Sequence, residues 1–275
     1  MDPLPPELRG RGGVWAVGLV RDEADIVETV LANLVGQGME RVVVADNGST
    51  DGTAEALERL ARVAPVTVLH DRLPAHYQAE KLTVLAQAAA RAGAGWIVPF
   101  DADELWLAPG TTVARWLEGC DAAVVQVPVF NHVPTAGDDP GEPDPVRRLR
   151  WRKEQPNQLH KVVFRAHGRA RLHHGNHGVD RRGRRARGLE VRHFPYRSEE
   201  QFARKLRQGS AALAATDLTA EVGKHWRGLG ASDAEALHGA WEELVATHNL
   251  PSEWWVPRRG LVEDPVVPAG IISDR

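Results

Sequence analysis

Cysteine occurs once in the 275 residues, at Cys120, so neither an intramolecular disulfide nor a multi-cysteine zinc or iron-sulfur site is available. A reducing compartment suits such a chain, and the expected location is cytoplasmic. The N-terminal residues carry Asp2, Glu7 and several prolines in place of the basic-then-apolar order of a secretory signal. No stretch approaches the roughly 20 apolar residues that span a bilayer, so any membrane contact is expected to be peripheral. An excess of one charge is missing as well. With 34 basic against 37 acidic residues, the net charge of -3 points to neither nucleic acid nor an acidic partner. The chain has no Gly-rich, Lys-containing triphosphate loop near its first strand-like run, no His-Glu-x-x-His segment, no RNA-binding aromatic pattern and no internal repeat.

What is present is an alternation of apolar strand-like runs with helical periodicity, in a chain 43% hydrophobic and long enough to bury a large core. Residues 13–20, 41–45, 66–70 and 96–100 read as strands. Between them a helix presents Ile26, Val30, Leu31 and Leu34 on one face, and a second, capped by Asp51 or Thr53, presents Leu57 and Leu60. Residues 79–92 form a third helix, and the alternation predicts a largely parallel sheet. Beyond Asp103 the pattern changes to a helix at 111–117, one extended segment at 122–130 and a Gly-, Pro- and acid-rich loop at 135–145. Strands at 147–152, 160–165 and 189–194 follow, then helices from Ser198 to 215 and over 233–247, and a tail with Trp254, Trp255 and several prolines.

Two of the apolar runs end abruptly in carboxylates, which is where an open α/β sheet presents ligand-binding groups. Asp101-Ala102-Asp103 places two hard oxygen donors where a Mn2+ or Mg2+ ion touching diphosphate oxygens would sit. The turn Asp46-Asn47-Gly48-Ser49-Thr50-Asp51-Gly52-Thr53 offers short polar side chains that accept hydrogen bonds from a ribose or a base. Together they suggest a metal-dependent nucleotide site, with Arg21 after the first strand and Lys81 near a helix start in reach of nucleotide or diphosphate.

In this order Val20-Arg21-Asp22-Glu23, the Asp46 turn, Phe100-Asp101-Ala102-Asp103-Glu104 and His193-Phe194-Pro195-Tyr196-Arg197-Ser198 resemble the family 2 type glycosyltransferases of GT-A fold, particularly the family 92-like branch. The resemblance covers residues 14–210 and is strongest over the first 110. It implies an α/β fold of GT-A type, with a Rossmann-like, mostly parallel central sheet flanked by helices, a mixed acceptor-side extension and a helical C-terminal region. The implied catalytic domain is 1–215, with a donor half at 13–110 and an acceptor half at 111–215, and 216–275 is an extension.

The resemblance also implies a nucleotide-sugar donor, usually a UDP-sugar, transferred with inversion to a hydroxyl of a small-molecule, glycan or carrier-linked acceptor. Asp46 would contact base or ribose, with Asn47, Ser49 and Asp51 shaping its loop. Arg21, Asp22, Glu23, Lys81, Asp101 and Ala102 belong to the donor site, Arg197 and Lys205 supply cations for the diphosphate, and Asp101, Asp103 and His193 hold the Mn2+ or Mg2+.

A carboxylate must also deprotonate the acceptor. Glu154 is the first candidate, with Asp180 and the Asp138-Asp139 loop as alternatives. His173, His174 and His177 raise a rival reading, a zinc hydrolase, which lacks the helical spacing and acidic partner such a site needs, although His177 could instead approach donor or acceptor. A nucleotidyltransferase is the second rival. The arginine run at 181–187 is read as a solvated loop or an attractor for an anionic acceptor, such as a phosphorylated lipid head group or an acidic carrier.

Overall fold

The computed structural model describes residues 1–73, 75, 77–217 and 228–270. Its first part alternates β1 (Val14–Val20), α1 (Val27–Gly36), β2 (Arg41–Asp46), α2 (Thr53–Val63), β3 (Val66–His70), α3 (Gln78–Arg91) and β4 (Trp96–Asp101). These strands pair in parallel in the order β4-β1-β2-β3, as crossover helices require. Successive side chains point to opposite faces, so Ala16, Val42, Val44 and Val98 pack beneath α1 and α2, whereas Trp15, Val17, Val43 and Ile97 pack against α3. Covering both faces explains why these strands read as continuous apolar runs, and each fully buried Val, Leu or Ile contributes roughly 1.5–3 kcal/mol. Gly18 pairs with Phe100 across β1 and β4, and a Cβ there would lie 2.4 Å from the Phe100 ring.

The chain continues through β5 (Glu104–Leu107), α4 (Val113–Glu118), β6 (Val124–Val127), β7 (Val129–Asn131), α5 (Pro145–Arg148), β8 (Trp151–Lys153), β9 (Lys161–Arg165), β10 (Arg185–Ala186), β11 (Glu190–His193), α6 (Glu199–Ala214), α7 (Ala234–Thr247) and β12 (Leu261–Glu263). Antiparallel β9 joins β4 to β6 and extends the main sheet to β10-β6-β9-β4-β1-β2-β3, while β5-β11-β7 forms a second, mixed sheet. The fold is thus α/β with a mostly parallel central sheet, as the sequence predicts.

Three local expectations change. The single extended segment expected at 122–130 is broken at Pro128, which has no N–H to donate, so β6 stays in the main sheet and β7 crosses to the small one. The strand expected at 147–152 begins as α5, because Asp144 accepts from Val146 N–H at 2.9 Å with Pro145 in the first helical turn. At α2 the capping position is Gly52 at φ +98°, and the Asp51 carboxylate accepts from Thr53 N–H at 3.1 Å from one residue further out. Helix α7 packs on α6 through Phe202, Leu206, Leu237 and Leu244.

Candidate active site

The parallel register fixes the geometry at the carboxyl end of the sheet. Val20 stands beside Asp46 and Leu19 beside Asp101, so the two acidic strand ends flank the end of β1. Beyond them, β11 delivers His193, β7 Asn131, β9 Lys161 and α6 Lys205, and these surround a cleft of about 500 Å³ with a smaller arm of about 170 Å³ toward Asn47, Tyr77 and Lys81.

Asp103 is the electrostatic centre. Its carboxylate pairs with the Lys205 ammonium and lies 3.4 Å from His193 Nε2. Burial alone would raise its pKa, but Lys205 and His193 overcome that and hold it well below the usual carboxylate range. On the far side of the imidazole, Nδ1 meets Asn131 Oδ1 at 2.9 Å, an oxygen that also accepts from Asn157 Nδ2. Nδ1 therefore carries a proton, and Nε2 is the edge turned to Asp103, the nitrogen that would have to give up any proton of its own to ligate a metal. Asp103 and His193 are donor types that suit a hard or borderline divalent ion.

Asp101 is directed elsewhere. Its Oδ2 receives Lys161 Nζ at 2.5 Å, and its Oδ1 accepts from Gln78 Nε2 at 2.8 Å and Asn176 Nδ2 at 3.3 Å. No three His, Cys, Asp or Glu side chains converge as a metal shell among the described residues. Lys161 also pairs with the fully buried Glu104 at 2.7 Å, and against the cost of burial the two acids raise the pKa of its ammonium above the ordinary value. Burial lifts Glu104 to about 7 despite Lys161.

Of the other expected donor residues, Arg21, Glu23, Asn47, Lys81, Ala102 and Lys205 line the cleft or its arm. Lys81 is committed to Asp71 at 2.5 Å and the Leu73 carbonyl. Asp22, Asp46, Ser49 and Asp51 instead stitch the floor together. Ser49 N–H and Oγ donate to Asp46, Thr50 N–H donates to Asp22 at 2.6 Å, and Ala24 N–H donates to Asp51 at 3.2 Å. Asp22 holds φ +53° under those bonds, a conformation that non-glycine residues rarely adopt. Arg197 is fully buried, forked onto Asp25 at 2.7 and 2.8 Å and paired with Glu23, so it anchors α6 beneath the cleft.

The expected bases lie apart from this chemistry. Glu154 is exposed beside β12, with its N–H donating to the Gly260 carbonyl. Asp180 is 63% exposed and pairs with His173 at 2.9 Å. Asp138 and Asp139 bond within their own loop, to Thr135 and Gly141. The three histidines do not converge either. His173 faces Asp180, and His177, lowered to about 4 by burial and Lys161, meets the His160 carbonyl at 2.9 Å. His174 and His177 line the cleft, but among the described residues they meet no third ligand that would make a zinc centre. Sequence reasoning missed Lys161, Asn131 and Gln78, which sit in ordinary strands and a helix, and Glu253, which sits in a loop.

Residues 19–174 match the model of the family described as glycosyl transferase family 2. No curated protein matches the chain. Among solved structures, S. aureus TarS 1–349 in complex with UDP is similar at 14% identity and TM-score 0.43, covering 80% of this chain and 70% of that one. The same protein in complex with UDP-GlcNAc is similar at 13% identity and TM-score 0.43, over 86% and 74%. Glucosyl-3-phosphoglycerate synthase from Mycobacterium tuberculosis, in complex with Mn2+, UDP and glucosyl-3-phosphoglycerate, is similar at 18% identity and TM-score 0.29 over 44% of each chain. At such scores these likenesses carry no argument, and family membership rests on the family model.

Proposed function

The chain belongs to glycosyl transferase family 2, and from that premise we propose that it transfers a sugar from a UDP-sugar to an acceptor hydroxyl, with a Mn2+ or Mg2+ ion bound and with inversion. The observation that carries this reading is the meeting of Asp103, His193 and Lys205 in one cleft beyond the strand ends. Asp103 and His193 would hold the ion, whose charge would offset that developing on the departing diphosphate. Lys205 and Arg21, both lining that cleft, add fixed positive charge for the same leaving group. The nucleoside occupies the arm beside Asn47 and Tyr77, above the turn braced by Asp46, and uridine follows the family pattern of that turn. The motif order supports a place near the family 92-like branch.

Residues 1–215 form the catalytic body in this proposal, with 216–275 an extension whose Trp254 and Trp255 line the acceptor side of the cleft. The lone, buried Cys120 fits a cytoplasmic setting. No helix among the described residues is long and apolar enough to cross a membrane, and the acceptor is a small molecule, a glycan or a carrier-linked group.

Thermal unfolding with UDP, ADP, GDP and TDP, each with and without Mn2+, tests the donor site. UDP at about a hundred times its Kd adds about 2.7 kcal/mol, which raises Tm by roughly 5 °C or more in a chain of this size. The expected result is that shift with UDP and Mn2+ in the wild type and its loss in Asp103→Ala. Absence of any nucleotide-dependent shift in the wild type refutes the reading.

A further inference from the structure

The segment after α7 forms a wall of the reaction cleft. Glu253, Trp254 and Trp255 line the same cavity as Asp103, His193 and Lys205. The segment is fastened there by Lys153 Nζ donating to Asn249 Oδ1 at 2.9 Å, by Gln158 N–H donating to the Trp255 carbonyl at 2.9 Å, and by Leu250 packed with Tyr196 and Phe202.

Glu253 is buried, 9% exposed, and its Oε1 accepts from the Tyr196 hydroxyl at 2.7 Å. Tyr196 belongs to the His193-Phe194-Pro195-Tyr196-Arg197-Ser198 motif, so the element that positions His193 also positions this carboxylate. Oε2 makes no hydrogen bond, and Glu253 no ion pair, among the described residues. Oε2 is not buried without a partner, so it opens on the cleft, and a carboxylate with one oxygen fixed and the other presented to the cavity is placed to accept a proton from a group bound there. Every other acid lining this cleft, Glu23, Asp101 and Asp103, is paired with a cation.

We propose that Glu253 is the catalytic base, its Oε2 taking the proton of the acceptor hydroxyl. The proposal rests on the transferase reading above. As the acceptor oxygen bonds to the anomeric carbon, its proton passes to Glu253. The bond from that carbon to the β-phosphate oxygen breaks, and UDP leaves with the electron pair. Burial raises the Glu253 pKa above the ordinary glutamate value against the pull of Tyr196, His193 and Lys205, a direction that suits a proton acceptor working near neutrality. Trp254, 62% exposed, stands T-shaped to Trp255 at 5.8 Å beside the carboxylate and gives the acceptor an apolar surface.

The test measures UDP release from UDP-glucose, UDP-galactose and UDP-GlcNAc, with water and methyl glycosides as acceptors, for wild type, Glu253→Gln and Glu253→Ala, with and without sodium azide. Azide attacks without needing to lose a proton, so it replaces acceptor and base together. The expected result is UDP affinity within twofold of wild type in both variants and turnover reduced about a hundredfold, the scale of general-base catalysis. Azide then restores UDP release in Glu253→Ala with formation of a glycosyl azide, and leaves the wild-type rate unchanged. The assignment is overturned if Glu253→Gln keeps turnover within threefold, if azide yields no glycosyl azide, or if both variants lose UDP affinity, which makes Glu253 a structural residue. Failure of the wild type to bind UDP is a different outcome and sinks the transferase reading itself.

Discussion

His132 shows how one buried group ties stability to pH. It is fully buried, stacks on Phe194 at 4.3 Å, and its Nδ1 donates to the Leu149 carbonyl at 2.7 Å. Burial, with Arg192 and Arg152 adding to it against Asp264 and the Leu149 carbonyl, pushes its pKa down to about 3. Because the unfolded chain binds a proton near 6.5 and the native chain does not, this contribution is fully present above 6.5 and is lost as pH falls toward 3. Between pH 7 and pH 5 the loss is about 2 kcal/mol. Urea unfolding at both pH values should show His132→Gln losing about 2 kcal/mol less than the wild type over that interval, and equal losses would refute the assignment. At the same scale, two carboxylates of the cleft were legible in the sequence, because Asp101 and Asp103 end an apolar run. Lys161 was not, since a lysine at a strand start reads as a solvated charge until the fold turns it onto Asp101 and Glu104. Glu253 was illegible for a plainer reason: it follows Pro251 and Ser252 in a loop, and only tertiary contact with Tyr196 gives it meaning.

At the scale of elements, one arginine joins parts of the chain that lie far apart in sequence. Arg197, just before α6, clamps Glu23 and Asp25 before α1 and caps the Phe194 carbonyl at 3.0 Å. Those bonds orient α6 and so place Lys205 over Asp103. Arg197→Met leaves both acids without this buried partner and should cost about 3–5 kcal/mol in chemical denaturation. Arg197→Lys should recover less than half of that, since an ammonium cannot reproduce the fork onto Asp25. A cost below 1 kcal/mol for Arg197→Met would show the clamp to be incidental. The elements themselves were unevenly legible. The strands β1 to β4 and helices α1 to α3 match the expected pattern because burial on both faces writes long apolar runs. Past Asp103 the strands are short and paired in mixed directions, so Pro128 and the Asp144-Pro145 cap decided boundaries that periodicity had smoothed over.

For the whole molecule, the cleft has a floor and an added wall. The floor is the carboxyl end of the parallel sheet, braced by the reciprocal bonds between residues 21–25 and 46–53. The wall comes from β7, β11, α6 and the segment carrying Glu253, contributed by the part of the chain where the family resemblance fades. In the proposed reading, donor binding and acceptor activation are separable by mutation, with Asp103 and His193 assigned to the first and Glu253 to the second. The central claim is that a divalent ion and UDP bind together at Asp103 and His193. Electron paramagnetic resonance of free Mn2+, titrated with protein in the presence of saturating UDP, tests it directly. The account predicts that the wild type sequesters Mn2+ roughly tenfold more tightly, or better, than Asp103→Asn or His193→Ala, a difference of about 1.4 kcal/mol or more. Equal sequestration by the wild type and both variants would contradict it.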